Sequence, residues 1–417
     1  MSQAAGWLHA IPSEWQRKKL KYVAWLKSGD SITSDDIAES GEYPVFGGNG
    51  IRGYASAYTH EGRHVLIGRQ GALCGNINYA TGRFWASEHA VVATIKADSN
   101  VTWLGELLRS MNLNQYSQSA AQPGLAVDVI ANLEIPVPPL RQQRAIAGFL
   151  DRETARLDAL VAAKEWVLGL LAEKRRALIT RAVTRGLNPS APLLNSGIPW
   201  LGKIPAHWRI ERLKFHLHWI EQGWSPMCDS MPAALEEWGV LKAGCVNGWD
   251  FDPGENKRLP DDVEPLPQHE VGQGDVLMSR ANTTALLGST ALVGEVRPRL
   301  LVCDKLYRLG VNDFTLCREY LVAFLRSPVG RYEFERDATG ASNSMQNIGQ
   351  DSVRNLWLPI PPIEEQRAIV SRITAETVKL EAMRTATEHT VRLLKERRAA
   401  LIAAAVTGKI DVQEAIA

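Results

Sequence analysis

No apolar run in the 417-residue chain approaches the ~18–20 residues that a membrane-crossing helix needs. Residues 1–10 lack the basic start and apolar core of a signal peptide. Cysteine is scarce. The five present (Cys74, Cys228, Cys245, Cys303, Cys317) are an odd number without C-x-x-C spacing, so neither a disulfide framework nor a zinc site is encoded. A cytoplasmic protein with no membrane partner is expected. Charge of one sign is lacking too: 47 basic and 46 acidic residues leave a net +1. Bulk charge would therefore not attract a polyanion, and any such contact must come from local patches.

Catalytic signatures are also missing. There is no G-x-x-x-x-G-K-[ST] loop, no G-x-G-x-x-G after a strand, no Asn/Asp-Pro-Pro-Tyr/Phe motif and no H-E-x-x-H. Asp250 and Asp252 before Glu255-Asn256-Lys257 have the residue types of a metal-dependent nuclease. Their spacing leaves little room for the strand geometry of such a site, and a solvated turn is expected. No reaction, metal or catalytic residue is assigned to the chain.

What the chain does have is an internal repeat. Trp7-Leu8-His9-Ala10-Ile11-Pro12-Ser13-Glu14-Trp15 recurs as Trp200-Leu201-Gly202-Lys203-Ile204-Pro205-Ala206-His207-Trp208, and each copy runs into a short basic segment, Leu20-Lys21-Tyr22 or Leu213-Lys214-Phe215. A longer pair starts at Asn132-Leu133-Glu134-Ile135-Pro136-Val137-Pro138-Pro139 and Asn355-Leu356-Trp357-Leu358-Pro359-Ile360-Pro361-Pro362. It continues without a gap to Thr184 and Thr407, with nearly half of the aligned positions identical. The chain is two tandem copies of one unit, each a variable block followed by a matched block.

The matched blocks read as long helices. Pro-Pro fixes extended backbone before them, and no proline follows for about 40 residues. A seven-residue stripe runs Leu150, Leu157, Lys164, Leu171, Leu178, and Ile373, Leu380, Thr387, Leu394, Leu401 fall on it in the second copy. That period favours helices pairing along a left-handed seam over two ordinary amphipathic helices. Gly186 and Gly408 after Ala-Val-Thr are stop signals. The first of these blocks is locally basic, with 10 basic and 5 acidic side chains over 141–186, whereas 187–363 carries 17 against 21.

The variable blocks alternate β-rich runs with turns. Tyr43–Phe46, Ile51–Tyr54, His64–Arg69 and Ala90–Ile95 read as strands and Val101–Asn114 as a helix. Gly274–Arg280, Ser289–Val293 and Lys305–Val311 continue the pattern, with Tyr320–Phe334 as the counterpart helix. Polar groups suited to reading base edges sit in glycine-spaced loops: Asn49, Arg52 and Tyr54 in one, Arg69 and Gln70 after a strand, Arg280 and Asn282 after the matching strand. Amide-rich loops carry Asn343 and Gln346. Arginine donates two hydrogen bonds to guanine, and an amide side chain pairs bidentately with adenine. Salt bridges and plain turns explain the same residues about as well.

This layout resembles the DNA-specificity (S) subunits of bacterial type I restriction–modification systems. Leu133–Ile146 and Leu356–Ile369 with their helices carry the resemblance most strongly. Tyr43-Pro44-Val45-Phe46-Gly47-Gly48-Asn49-Gly50 and Val65–Gly71 are similar to segments of one class of the family's target-recognition domains. The resemblance implies an α+β chain: two mixed α/β target-recognition domains in tandem, each followed by a long helix, the two helices pairing as an antiparallel coiled coil. The boundaries are then 1–139 and 187–363 for the recognition domains, 140–186 and 364–410 for the helices. It further implies a non-catalytic subunit that reads a bipartite, asymmetric site in double-stranded DNA. Its partners would be two modification (methyltransferase) subunits and, through the complex, restriction (translocase/endonuclease) subunits. S-adenosylmethionine, ATP and Mg are expected on those partners and no cofactor on this chain. A non-catalytic coiled-coil scaffold with two ligand-binding domains stays open as an alternative.

Overall fold

The computed structural model describes residues 11–71, 73–117, 124–342 and 345–412. Two compact units form. One comprises the described residues up to Trp166 together with those from Thr387 onward, the other Val167–Ala386.

The first unit is built on a six-stranded sheet in the order Ala24–Ser28, Ala90–Ile95, His60–Gly68, Ile77–Ala86, Tyr43–Gly47, Gly50–Ala55. All neighbours are antiparallel except Tyr43–Gly47 against Ile77–Ala86. Ala90–Ile95 is an unbroken run of small and β-branched residues, and its interior position buries Ala90, Val91, Val92 and Ala93. Helix Val101–Ser110 packs below, started by Asn100, whose Oδ1 accepts from the Trp103 amide at 3.0 Å. Its Trp103, Leu104, Leu107 and Leu108 join Val65, Ile67 and Val91 in one core.

The second unit repeats four of these strands as Leu217–Gln222, Leu306–Val311, Val276–Ser279, Thr290–Leu292, in that order and all antiparallel. It adds a three-stranded sheet, Asn256–Arg258, Gly239–Leu241, Leu300–Leu301, over a second apolar cluster. The helix expected over Tyr320–Phe334 is two helices, Arg318–Leu325 and Pro328–Asp337. Proline has no amide hydrogen to continue the first helix, and Ser327 starts the second by accepting from the Gly330 amide at 3.1 Å. Val101–Asn114 likewise ends as an α-helix at Ser110 and closes with a 3-10 turn, Leu113–Tyr116. Strand Ile77–Ala86, the longest in the first unit, was not foreseen: Gly82 at φ +83 and its polar neighbours interrupt the apolar pattern.

Two long helices follow the Pro-Pro segments, Leu140–Arg185 and Ile363–Val406. They pair antiparallel, and ion pairs mark the register within each unit. Asp158 meets Arg398 at 2.8 Å and Glu165 meets Lys395 at 3.0 Å in the first, while Arg175 meets Glu381 at 3.7 Å in the second. The seven-residue stripe lies on the packed face. Leu150, Leu157, Ile373 and Leu380 are buried, while Lys164, Leu171, Leu178, Thr387, Leu394 and Leu401 are half-buried. Each core receives the beginning of one helix and the end of the other: Ile146, Phe149 and Leu150 with Ile402, Ala405 and Val406 in the first unit, Ile369 and Ile373 with Ile179, Ala182 and Val183 in the second. Among the described residues no helix is long and apolar enough to cross a membrane.

The first repeat motif has a structural role in this exchange. Gly186 ends one long helix at φ +69, and a Cβ there would lie 3.0 Å from Trp208 and 3.1 Å from Glu365. Gly408 ends the other at φ +74, where a Cβ would come 2.4 Å from Pro12 and 3.2 Å from Trp15. Each Ile-Pro-x-x-Trp segment therefore closes over the end of a helix that only glycine can finish.

Candidate nucleic-acid interface

The backbone holds Arg69 and Arg280 in matched ways. Arg69 follows strand His60–Gly68; its amide donates to the His89 carbonyl at 2.8 Å, and its carbonyl accepts from the Leu125 amide at 2.9 Å. Arg280 follows Val276–Ser279; its amide donates to the Lys305 carbonyl at 2.9 Å, and its carbonyl accepts from the Ile348 amide at 2.9 Å. A glycine turn closes each following loop, Gly75 at φ +87 and Gly288 at φ +73. Another matched pair, Gly29 and Gly223, lets the first strand approach the loop leading into the last. A Cβ would lie 2.3 Å from the Ala86 carbonyl oxygen in one case and 2.1 Å from that of Val302 in the other.

In the first unit Asn49, Arg52, Arg69 and Gln70 gather at one end of the sheet. Asn49 occupies the turn between Tyr43–Gly47 and Gly50–Ala55, and its Oδ1 accepts from Asn76 Nδ2 at 2.8 Å. Gly48 beside it packs toward the carbonyls of Gln70 and His89. Gln70 Oε1 and His89 Nδ1 share a hydrogen bond of 3.0 Å. Arg69 Nη1 donates to Ser28 Oγ at 2.9 Å, so this guanidinium is partly committed to the fold. Arg52 lies across Gly47, exposed, with no hydrogen bond or ion pair among the described residues. Tyr54 is not part of the gathering. It sits up the hairpin, exchanging backbone hydrogen bonds with Ala38 at 2.9 Å and lining a separate cavity with Asp35 and Trp85.

In the second unit Ala281–Asn282 pairs antiparallel with Met345–Asn347, setting Asn282 opposite Gln346. Asn282 Nδ2 donates to Asn247 Oδ1 at 3.0 Å, while its own Oδ1 accepts from the Thr283 amide at 2.9 Å. Arg280 is half-buried beside the Tyr307 ring, donates from Nη1 to the Asp304 carbonyl at 3.2 Å, and leaves its buried Nε unpaired among the described residues. Asn343 lies outside the described residues. The turn at Asp250–Glu255 is solvated: Asp252 accepts from the Gly254 amide at 2.8 Å, and Glu255 pairs with Lys242 at 3.6 Å.

Sequence reasoning did not single out Ser28, Asn76 or Asn247, which orient the candidates. Their partners stand 27 to 41 residues away in the chain, and no local pattern marks such a pairing. The assembled groups are guanidinium, amide and imidazole. They donate and accept hydrogen bonds at a solvent-facing edge, which suits readout of base edges.

Residues 12–165 match the family described as type I restriction modification DNA specificity domain. Over 143 residues the chain is 46% identical to the type I restriction enzyme EcoprrI specificity subunit of Escherichia coli, covering 33% of this chain and 36% of that one. It is 27% identical over 276 residues to the EcoEI specificity subunit of the same organism, covering 65% and 46%. The matched stretches thus span less than half the length of either relative. A structure solved to address complex assembly and conformational transition of the type I R-M system superposes with a TM-score of 0.71 at 19% identity, over 96% of this chain and 99% of that one; the two share a fold.

Proposed function

We propose that the chain is a member of the type I restriction modification DNA specificity family, whose domain model residues 12–165 match, and that it is the DNA-reading subunit of such a complex. In this reading each unit recognises one half of a bipartite, asymmetric target in double-stranded DNA. The chain directs adenine methylation by two modification subunits, and restriction subunits join through the complex. S-adenosylmethionine, ATP and Mg serve the partner subunits, the chain carries no reaction of its own, and the complex works in the cytoplasm.

One observation carries this reading beyond the partial family match. Arg69 and Arg280 stand at equivalent points of two duplicated sheets, held by equivalent backbone hydrogen bonds. Around them the surroundings differ: an added hairpin bearing Asn49 and Arg52 in one unit, a strand pair bearing Asn282 and Gln346 in the other. A common scaffold with divergent polar edges is what two readers of different half-sites require. A passive scaffold with two unrelated ligands would not need the same loop placed twice.

The test is to map N6-methyladenine across the genome of cells carrying the chain and its modification subunit, against a deletion strain. A single bipartite, asymmetric motif that loses its methylation with the chain is expected. Methylation unaltered by the deletion would refute the reading.

A further inference from the structure

Beside the loop that carries Asn282, the second unit gathers guanidinium groups about one indole. Arg175, on the first long helix, lies 4.2 Å from the Trp249 ring centroid, and Arg326, just after helix Arg318–Leu325, lies 4.7 Å from it. Two cavities of about 480 Å³ each adjoin this cluster, and both are lined by Trp249 and Arg176. Arg175 and Arg384 line the first, Arg326 and Arg331 the second. Three carboxylates, Asp250, Glu381 and Glu335, face these five arginines.

The carboxylates do not balance the charge. Glu381 is engaged by Arg384 at 2.5 Å and Arg175 at 3.7 Å, and Glu335 by Arg331 at 3.5 Å. Among the described residues Arg326 has only carbonyl hydrogen-bond partners, those of Thr290, Val246 and Asn247. Burial, then the nearby guanidiniums of Arg175 and Arg331, bring it down to about 10, so it stays charged at neutral pH. Arg175 keeps a buried Nε without a partner among the described residues. Arg176 is exposed, and its guanidinium makes no hydrogen bond or ion pair among the described residues. Crowded, partly desolvated guanidiniums are relieved by an anion, and their planar forks match phosphate oxygens.

The position of the cavities names the source of that anion. Asn247, two residues before Trp249, accepts the hydrogen bond from Asn282, and Ala285 and Leu286 of the loop after Asn282 line the second cavity. A group bound there is adjacent to a candidate reading loop. The first unit does not keep this pair: Ala399 occupies the repeat position of Arg176, and Arg398, at that of Arg175, is paired with Asp158 at 2.8 Å.

We propose that these cavities form a phosphate site that grips the DNA backbone beside the half-site read by the second unit, with Arg176 as its available donor. The inference rests on the DNA-reading function proposed above. It makes the grip on the duplex unequal between the two half-sites.

The test uses the full chain assembled with its modification subunits on duplex DNA carrying the methylated motif, with affinity measured against salt. Arg176→Ala is expected to weaken binding about 5- to 10-fold at physiological salt and to lower the slope of log K against log salt by about one, with the methylated motif unchanged. Arg181→Ala, exposed on the same helix outside both cavities, should leave the slope alone. An unchanged slope in Arg176→Ala, with the motif still bound, overturns the site. So does inorganic phosphate binding that Arg176→Ala abolishes while the DNA slope stays put, because the site would then take free phosphate and not the backbone. Failure of the unaltered complex to retain DNA sequence-selectively would instead refute the function on which the inference rests.

Discussion

Two glutamines explain a motif that sequence alone left as a label. Gln143 and Gln366, the glutamines shared by the two Gln-Arg-Ala-Ile copies, are both buried. Each accepts through Oε1 from the amide at the start of the helix packed under the sheet, that of Asn100 or Cys317, at 2.8 Å. Each donates through Nε2 to a Pro-Pro carbonyl, Pro138 or Pro361, at 2.9 Å. They lock each long helix to the sheet domain before it. Gln143→Leu or Gln366→Leu leaves a buried amide and carbonyl unpaired, at about 1–3 kcal/mol per group. Hydrogen exchange should register the loss in the mutated unit alone, since the two cores are separate clusters. At the interface, Arg52 and Arg69 should separate. Arg52→Ala removes a side chain with no hydrogen bond or ion pair among the described residues, so under the proposed function it should relax the first half-site by about 1–3 kcal/mol with stability unchanged. Arg69→Ala also loses the bond to Ser28 and should lower the stability of the first unit as well. Thermal unfolding beside motif mapping distinguishes the two.

At the scale of elements, the long helices were legible because a seven-residue stripe and two glycine stops are local signals. The graded burial of the stripe was not legible. Leu157 and Leu380 are 5% and 7% exposed, whereas Leu171 and Leu394 lie where the packing is only partial. Aspartate at Leu157 or Leu380 should therefore cost several kcal/mol, and at Leu171 or Leu394 clearly less. Helix amide exchange in each variant would rank them, and equal costs would contradict the burial pattern. The cross-helix ion pairs are largely exposed and set register more than stability. The break at Ser327-Pro328 was misread although its signal was present, since proline favours a first turn and ends the helix before it. The Ile-Pro-x-x-Trp repeat was recognised as a repeat, but its contact with a helix end was not. Pro12 and Gly408 stand at opposite ends of the described chain, and sequence carries no marker for that meeting. Gly186→Ala and Gly408→Ala should each fray a helix end, since φ near +70 and the indole beside it both oppose a Cβ.

At the scale of the whole chain, duplication was legible and the exchange of helix ends between units was not. Leu140–Arg185 is one unbroken helix with its first turns in one core and its last in the other, and Ile363–Val406 makes the same passage in reverse. Under the proposed function, the unspecified gap in the DNA target then depends on helix length. Duplicating Leu168-Gly169-Leu170-Leu171 together with the matched Val391-Arg392-Leu393-Leu394 adds about one turn, or about 6 Å, to each helix. Four residues keep an approximate helical phase, so the apolar stripe is nearly preserved on both sides of the insertion. Because DNA rises about 3.4 Å per base pair, the gap should lengthen by about one or two base pairs while the bases on either side stay the same. Inserting in one helix alone leaves its partner short, and the extra turn bulges out; that variant should keep the original gap or fail to assemble. Methylation mapping reads all of these outcomes. An unchanged gap with full activity in the double insertion would mean that the helices assemble the complex without measuring the target. Altered bases at the ends would mean that the inserted turn had disturbed a recognition unit itself.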